Sequence, residues 1–195
     1  MAAISLTGRD GGVTGMVGDN LVDLHLERNG LSRVSGDSFG ARVDGHWRIE
    51  SNCGNDDPVE LFLGEYDGLP VFLRSEVHLA PLSSLRHADI TGDIGSQQLR
   101  ARAAPVDAAG PLVVGIDGHF DGQALTLFAT IAGDLSGGQL AGVIGAHHLK
   151  IEATRTNITE MYDGPPASLP LTITGEYDGP PALFPLLVCA LVYFL

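Results

Sequence analysis

The sequence predicts an all-β protein in which an antiparallel meander of short hairpins forms a sandwich or a barrel. Three observations support this prediction. A glycine-containing turn unit recurs along the chain, apolar and polar residues alternate after several of these turns, and no long apolar stripe with helical spacing occurs between residues 1 and 178. Alternation with period two, bounded by Gly and Asp, is typical of half-buried strands joined by tight turns.

The turn unit consists of an aliphatic residue, a Gly two positions later, one or two further turn glycines, and a Leu that begins the next run. Copies are recognised at residues 13–21, 90–99, 116–125 and 131–140. Their spacing is irregular, whereas the coils of a β-solenoid need a fixed period in order to stack. A sandwich or barrel is therefore preferred, and a β-solenoid is the alternative.

A second repeat marks the C-terminal part of the chain. The sequence Tyr-Asp-Gly-Pro-Pro-Ala occurs at residues 162–167 and returns at residues 177–182. Asp, Gly and Pro in this order favour a turn, because Asp accepts local backbone hydrogen bonds, Gly tolerates positive φ and Pro fixes the next dihedral. We therefore divide the chain into a Gly-rich β-hairpin domain, residues 1–158, and a repeat segment, residues 159–195, that ends in a short apolar tail.

The tail is apolar on every side, so it must be buried whatever its secondary structure. The 13 residues from Leu183 onward are too few for a helix that crosses a bilayer, which needs about 20. The tail is interpreted as part of the domain's own core, as a contact with a second copy or a protein partner, or as a contact with a membrane interface. The side chains expected to form such an interaction surface are Leu183, Phe184, Leu186, Leu187, Val188, Leu191, Val192, Tyr193, Phe194 and Leu195.

Composition limits the partners and the compartment. The net charge of −13 repels phosphate backbones, so no nucleic-acid partner is expected. The N-terminal residues lack a basic region followed by an apolar stretch, which predicts a cytoplasmic protein, with peripheral membrane contact through the tail as an alternative. Cys53 and Cys189 are too few and too far apart to indicate a disulfide framework or a zinc site.

One segment matches a catalytic motif. Residues 36–40, Gly-Asp-Ser-Phe-Gly, fit the nucleophile elbow with Ser38 as the nucleophile, and they resemble the first block of the GDSL-type esterases. That resemblance implies an α/β fold and an Asp followed three positions later by a His near the C-terminus. This sequence has strand-like residues after Ser38 and no such pair. A turn is the favoured interpretation, because a motif without its structural context is mostly accidental.

The sequence predicts no metal site and no cofactor. Residues 117–122 match the beginning of a calcium loop, but the twelfth position is Phe128 instead of a bidentate Glu. His147 and His148 point to opposite faces if they lie on a strand, and the other five histidines are scattered singly. No glycine loop precedes a helix, as dinucleotide binding requires.

Three functions are compatible with these features, and the non-enzymatic ones are favoured. The first is a structural or assembly protein whose tail mediates self-association, docking to a protein partner or peripheral membrane attachment. The second is a barrel that binds a small apolar ligand inside, between alternating aliphatic residues such as those of segment 125–131. The third is a hydrolase that uses Ser38.

Overall fold

The computed structural model describes residues 1–9, 11–27, 32–51, 58–80, 84–106, 112–134, 136–155 and 171–194. These residues form fourteen strands, and each strand is antiparallel to its neighbours in chain order. Strand β1 also pairs with β14, so the meander closes into a barrel. The predicted all-β hairpin meander is confirmed, in its barrel form. A β-solenoid is excluded, because its coils would stack in parallel.

The strands, numbered in chain order, are β1 Ala2–Arg9, β2 Gly12–Val17, β3 Asn20–Glu27, β4 Ser32–Ser38, β5 Ala41–Ser51, β6 Pro58–Tyr66, β7 Leu69–Ala80, β8 Ser84–Ile94, β9 Gln97–Pro105, β10 Leu112–Phe120, β11 Gln123–Ile131, β12 Gly137–Ile144, β13 His147–Arg155 and β14 Leu171–Tyr177. A 3₁₀ turn, Pro181–Leu183, then leads into a helix, α1, Phe184–Phe194. The tail is therefore helical.

Alternation along most strands separates an apolar inner wall from a more polar outer face; on β6 the outer face also carries the buried Val59 and Leu61. On β1, for example, Ile4 and Leu6 are buried, whereas Ser5 and Thr7 are exposed. Because side chains alternate across a strand, an antiparallel sheet of this kind packs one face on a core and leaves the other in water. The barrel thus has an apolar lumen.

The two ends of the barrel differ. At one end, which we call the tight-turn end, strands are joined by two-residue turns such as Asp67-Gly68 and Asp121-Gly122. Both residues of these turns have positive φ, 52° and 73° in the first and 49° and 76° in the second. Positive φ at both positions is the type I′ geometry that suits the right-handed twist of a hairpin. The opposite end, the long-loop end, holds the remaining connections, including residues 156–170, which lie outside the described residues.

A glycine stands on the inner wall of every even-numbered strand, two residues before the end of the strand at the tight-turn end. A Cβ atom at any of these positions would lie less than 3.0 Å from a backbone carbonyl oxygen of the preceding strand. Such close backbone approach is a typical reason for glycine inside a strand. The members of this glycine ring are Gly15, Gly36, Gly64, Gly92, Gly118, Gly142 and Gly175.

The glycine ring is the true internal repeat. After six of its members, an apolar inner-wall residue of the next strand follows seven positions later. The copies at 13–21, 90–99 and 116–125 contain ring members, but the copy at 131–140 does not. Its Gly133 lies in the connection between β11 and β12 at the long-loop end, and the ring member of that hairpin is Gly142.

Helix α1 lies inside the ring of strands. It contacts β12 and β13 on one side and β4 on the other. Strands β14, β1, β2 and β3 separate β13 from β4 along the wall, so an element outside the barrel could not reach both. Phe184 and Val188 are fully buried there, with 0% of each residue exposed. Both β14 and α1 belong to the predicted segment 159–195, while its boundary and its first Tyr-Asp-Gly-Pro-Pro copy lie outside the described residues.

Candidate functional site

Helix α1 fills one side of the lumen. The inner-wall side chains of the strands around it, β12 to β14 and β2 to β4, are large and almost completely buried. A fully buried aliphatic residue in a protein interior touches neighbours on all sides. These residues include Val13, Val17, Val22, Leu24, Val34, Ile144, Ile151 and Ile173.

The inner wall on the opposite side, β7 to β10, is only half-buried at several positions midway along the strands, whereas Ala88 and Ala103, nearer the long-loop end, are buried. The hydrogen-bonded wall separates these side chains from the outside, so the surface that they expose faces the lumen. Near the tight-turn end the same strands are closed, since Val71, Ile94 and Phe120 are buried. The half-buried inner-wall residues are Leu73, Ile90, Leu99, Ala101, Val114 and Ile116.

Small side chains are frequent on this side of the lumen. Inner-wall positions of β8, β9 and β10 carry Ala88, Gly92, Ala101, Ala103 and Gly118. The wall packed against α1 also has ring glycines, such as Gly36 and Gly142, so the difference between the two sides lies mainly in the alanines. Ala88 and Ala103 are themselves buried, whereas Ala101 keeps exposed surface midway along β9.

A polar group lies beside this space. Alternation from Phe62 places Glu60 on the inner face of β6, and its cross-strand neighbour on β7 is Ser75. Burial raises the pKa of the Glu60 carboxyl above its usual value, because the charged form is desolvated. Continuing across the sheet, Ser75 faces Ile90, which in turn faces Ala101. The carboxyl thus belongs to the same row of the wall as the small residues.

The tight-turn end of the lumen is closed by aromatic side chains. The Phe184 ring packs edge-on against Phe39 and Tyr177, at centroid distances of 5.4 and 4.9 Å. The Tyr177 hydroxyl donates a hydrogen bond to the Pro180 carbonyl oxygen at 2.6 Å, and burial raises the pKa of that hydroxyl. At the long-loop end, in contrast, Ile49 stands at an inner-face position with 66% of its surface exposed.

The motif serine lies deep in the wall. Ser38 is the last residue of β4, faces inward, and is fully buried; its Oγ has no hydrogen-bond partner among the described residues. A serine nucleophile needs a general base within hydrogen-bond reach. An unbonded, buried hydroxyl does not provide that arrangement. Of the turn predicted over residues 36–40, only Phe39-Gly40 forms a turn, between β4 and β5, while residues 36–38 belong to β4.

The tail residues are placed mainly in the lumen. Leu183, Phe184, Val188 and Leu191 are buried, and their interaction with a partner stays a prediction. Three others are half-buried, namely Leu186, Leu187 and Val192. The side chains of Tyr193, Phe194 and Leu195 lie outside the part of the structure that is described.

The other motif residues lie on the outer face or at the tight-turn end. Asp117 accepts a hydrogen bond from the Thr126 hydroxyl at 3.0 Å on the outer face, and Asp121 belongs to the next tight turn. His147 lies 3.6 Å from Asp178, between Nδ1 and Oδ2, whereas its neighbour His148 is exposed. These residues do not come together in one site.

Sequence reasoning missed the lumen-lining residues of β6 to β10. The signal that identifies them is the seven-residue offset between a ring glycine and the next inner-wall residue, because it fixes which face of each strand is internal. Residues 125–131, which the sequence assigned to an interior, do supply the inner-wall side chains Leu125, Leu127 and Ile131.

The chain matches no protein-family model, no curated protein and no solved structure. A helix needs about 20 apolar residues to cross a membrane, and no helix in the described ranges meets that requirement. What the protein does must therefore be inferred from the lumen and its lining.

Proposed function

We propose that this protein binds a small apolar ligand in the part of the lumen that α1 leaves open. The observation that carries the proposal is the contrast in burial between the two sides of the inner wall. Leu73, Leu99 and Ile116 keep accessible apolar surface inside a closed barrel, and covering it with a ligand is favourable. Preformed sites with mostly apolar linings and few polar groups are typical of small-molecule binding.

The lining also defines the chemistry of the ligand. Glu60 provides an acceptor beside the small residues, so the ligand is expected to carry a hydrogen-bond donor or an amine at one end. The net charge of −13 disfavours an anionic ligand such as a fatty-acid carboxylate. A neutral or cationic molecule with an apolar body is the best match.

Two measurements test this proposal. Native mass spectrometry of protein purified from its own cells is expected to show a co-purified small molecule. Titration with the neutral fluorescent probe N-phenyl-1-naphthylamine is expected to show saturable binding, and Ala101→Leu is expected to weaken it by at least about tenfold, the equivalent of ~1.4 kcal/mol, by filling the space. The matched control is Ala104→Leu, on the outer face of the same strand. Equal probe binding by both variants, or no binding to the unmodified chain, would refute the proposal.

The assembly function expected for the tail remains a second candidate. It is favoured by the half-buried Leu186, Leu187 and Val192, which keep apolar surface on α1. A homo-oligomer, or a complex through α1, requires this surface to be reached by a second chain. Light scattering of the full chain is the test, and a monomeric mass at all concentrations would exclude self-association. The cytoplasmic location expected from the N-terminus also stays a prediction.

A further inference from the structure

A cluster of two histidines and an aspartate lies on the outer face of the barrel, away from the lumen. His78 on β7 is the cross-strand partner of His87 on β8, and Asp89 follows His87 on the same face of β8. Arg102 on β9 is the cross-strand partner of Asp89. The register between β7 and β8 shifts between His78 and Leu79, and such bulges re-aim side chains at the edge of a site.

The potential ligand atoms converge. The Nε2 atoms of His78 and His87 lie 3.6 and 3.7 Å from the same oxygen, Oδ2 of Asp89. All three atoms lie within 4.8 Å of one another, and the two imidazole rings stack with centroids 4.5 Å apart. Zn²⁺ binds His nitrogen and Asp oxygen at about 2.0–2.2 Å, so ligands of a tetrahedral site are about 3.3 Å apart. A small closing movement of these side chains would complete three of the four positions.

The separations between the imidazoles and the carboxylate do not suit direct hydrogen bonds. At 3.6 and 3.7 Å, both nitrogen–oxygen distances exceed the usual 2.7–3.2 Å for such a bond. A cation between the three atoms would make use of all of them at once. Because each side chain is about one-quarter to one-third exposed, at 33%, 24% and 36%, an ion can enter from solvent and retain a water molecule.

Arg102 holds the carboxylate in the orientation that this requires. Its Nε donates a hydrogen bond of 2.7 Å to Oδ1 of Asp89 and its Nη2 donates one of 3.2 Å to Oδ2, so the guanidinium fixes both carboxylate oxygens while Oδ2 also faces the histidines. This contact also lowers the pKa of Asp89, so the carboxylate is ionised at neutral pH. Ligands of metal ions are commonly oriented in this way by a hydrogen bond from an outer residue. The positive charge of Arg102 opposes a cation, but the overall charge of −13 favours one.

We propose that His78, His87 and Asp89 bind a divalent transition-metal ion, with Zn²⁺ as the ion that fits best. Imidazole nitrogen together with one carboxylate is a ligand set that suits zinc. Three protein ligands with a fourth position open to water distinguish this arrangement from closed structural zinc sites. The site lies on the opposite face of the wall from the lumen, so it is independent of ligand binding there.

The test uses the full chain after treatment with a chelator. Calorimetric titration with Zn²⁺ alone is expected to show one saturable site, and Co²⁺ is expected to give the visible absorption bands of tetrahedral coordination. His87→Gln and Asp89→Asn are each expected to weaken Zn²⁺ binding by at least about tenfold. His119→Gln, a change at an exposed histidine of β10, is the matched control and is expected to bind as the unmodified chain does.

Circular dichroism distinguishes lost ligands from lost structure, because the outer-face variants are expected to keep the barrel spectrum. Zn²⁺ is also expected to raise the midpoint of thermal unfolding of the unmodified chain and of His119→Gln, but not that of His87→Gln. Absence of Zn²⁺ binding to the folded chain would overturn the proposal. Equal weakening by His87→Gln and His119→Gln would also overturn it, since it would indicate non-specific histidine binding.

Discussion

Replacing Phe184 with Ala tests whether α1 belongs to the folded core. The residue is 0% exposed, and its ring packs edge-on against the rings of Phe39 and Tyr177. Removing a buried Phe side chain costs about 3–5 kcal/mol through lost apolar burial and the cavity left behind. An aromatic pair contributes about 0.5–1.5 kcal/mol to stability in addition to the effect of the apolar area that it buries. In a chain of this length ~1 kcal/mol corresponds to about 2–4 °C, so the midpoint of thermal unfolding should fall by roughly 6–20 °C.

The assay is urea unfolding followed by circular dichroism, together with a thermal melt. Phe128→Ala is the matched control, because Phe128 lies on the outer face of β11 with 47% of its surface exposed, and its replacement should change stability by no more than about 0.5–1 kcal/mol. If Phe184→Ala lost less than about 1 kcal/mol and instead changed the mass measured by light scattering, α1 would act between molecules. That result would refute its placement in the lumen and favour the assembly function.

Three other predictions follow from the packing. Gly118→Ala should cost about 1–3 kcal/mol in urea unfolding, because the added Cβ would meet backbone atoms of β9, whereas Gly133→Ala, with open space around it, should be neutral or stabilise by about 0.4–1 kcal/mol. In a Cys53→Ser variant, the Cys189 thiol should react with a disulfide reagent only after denaturation. The thiol is buried, and burial raises its pKa, so little reactive thiolate forms in the folded state. Glu60→Gln should increase the free energy of unfolding at pH 7, because the raised pKa of Glu60 shows that the folded state disfavours the ionised carboxyl. This increase should vanish as the pH falls below the ordinary Glu pKa, where the carboxyl is protonated in both the folded and the unfolded state.

Local sequence signals predicted the strands and tight turns. Segment 125–131 alternates between apolar and other residues, and it follows the turn residues Asp121 and Gly122, so both β11 and the preceding hairpin could be predicted. The pairing of β1 with β14, which closes the barrel, could not be predicted in this way. Pairing between residues near opposite ends of the chain depends on matching strand length and twist around the whole barrel, and no local pattern encodes it.

The irregular spacing of the turn unit concealed the repeat. Hairpin connections at the long-loop end differ in length, so the distance from one ring glycine to the next changes, while the tight turns keep a constant length. Gly133 is followed by further glycines as a ring member would be, although it belongs to the opposite end of the barrel. The offset to the next apolar inner-wall residue does not separate the two kinds of turn, because Leu140 follows Gly133 by seven positions just as Val22 follows Gly15.

The candidate sites were less predictable than the strands. The cluster of His78, His87 and Asp89 depends on cross-strand register and on a register shift, neither of which is visible as a ligand spacing in the sequence. The helical tail was recognised as a segment that must be buried, but its burial inside the barrel depends on the space that fourteen strands enclose. Both features arise from packing between distant segments.

That enclosed space connects the fold with the proposed ligand. A barrel of about eight strands has an interior that side chains alone can fill, and the diameter grows with the number of strands. Fourteen strands therefore leave more volume than side chains occupy, and one helix, about 10 Å across, fills only part of it. A chain constrained only by stability would place large residues on the remaining wall, since unfilled volume is costly. Ala101 stands midway along that wall instead, beside the half-buried Leu99 and Ile116, which is the pattern expected where another molecule completes the packing.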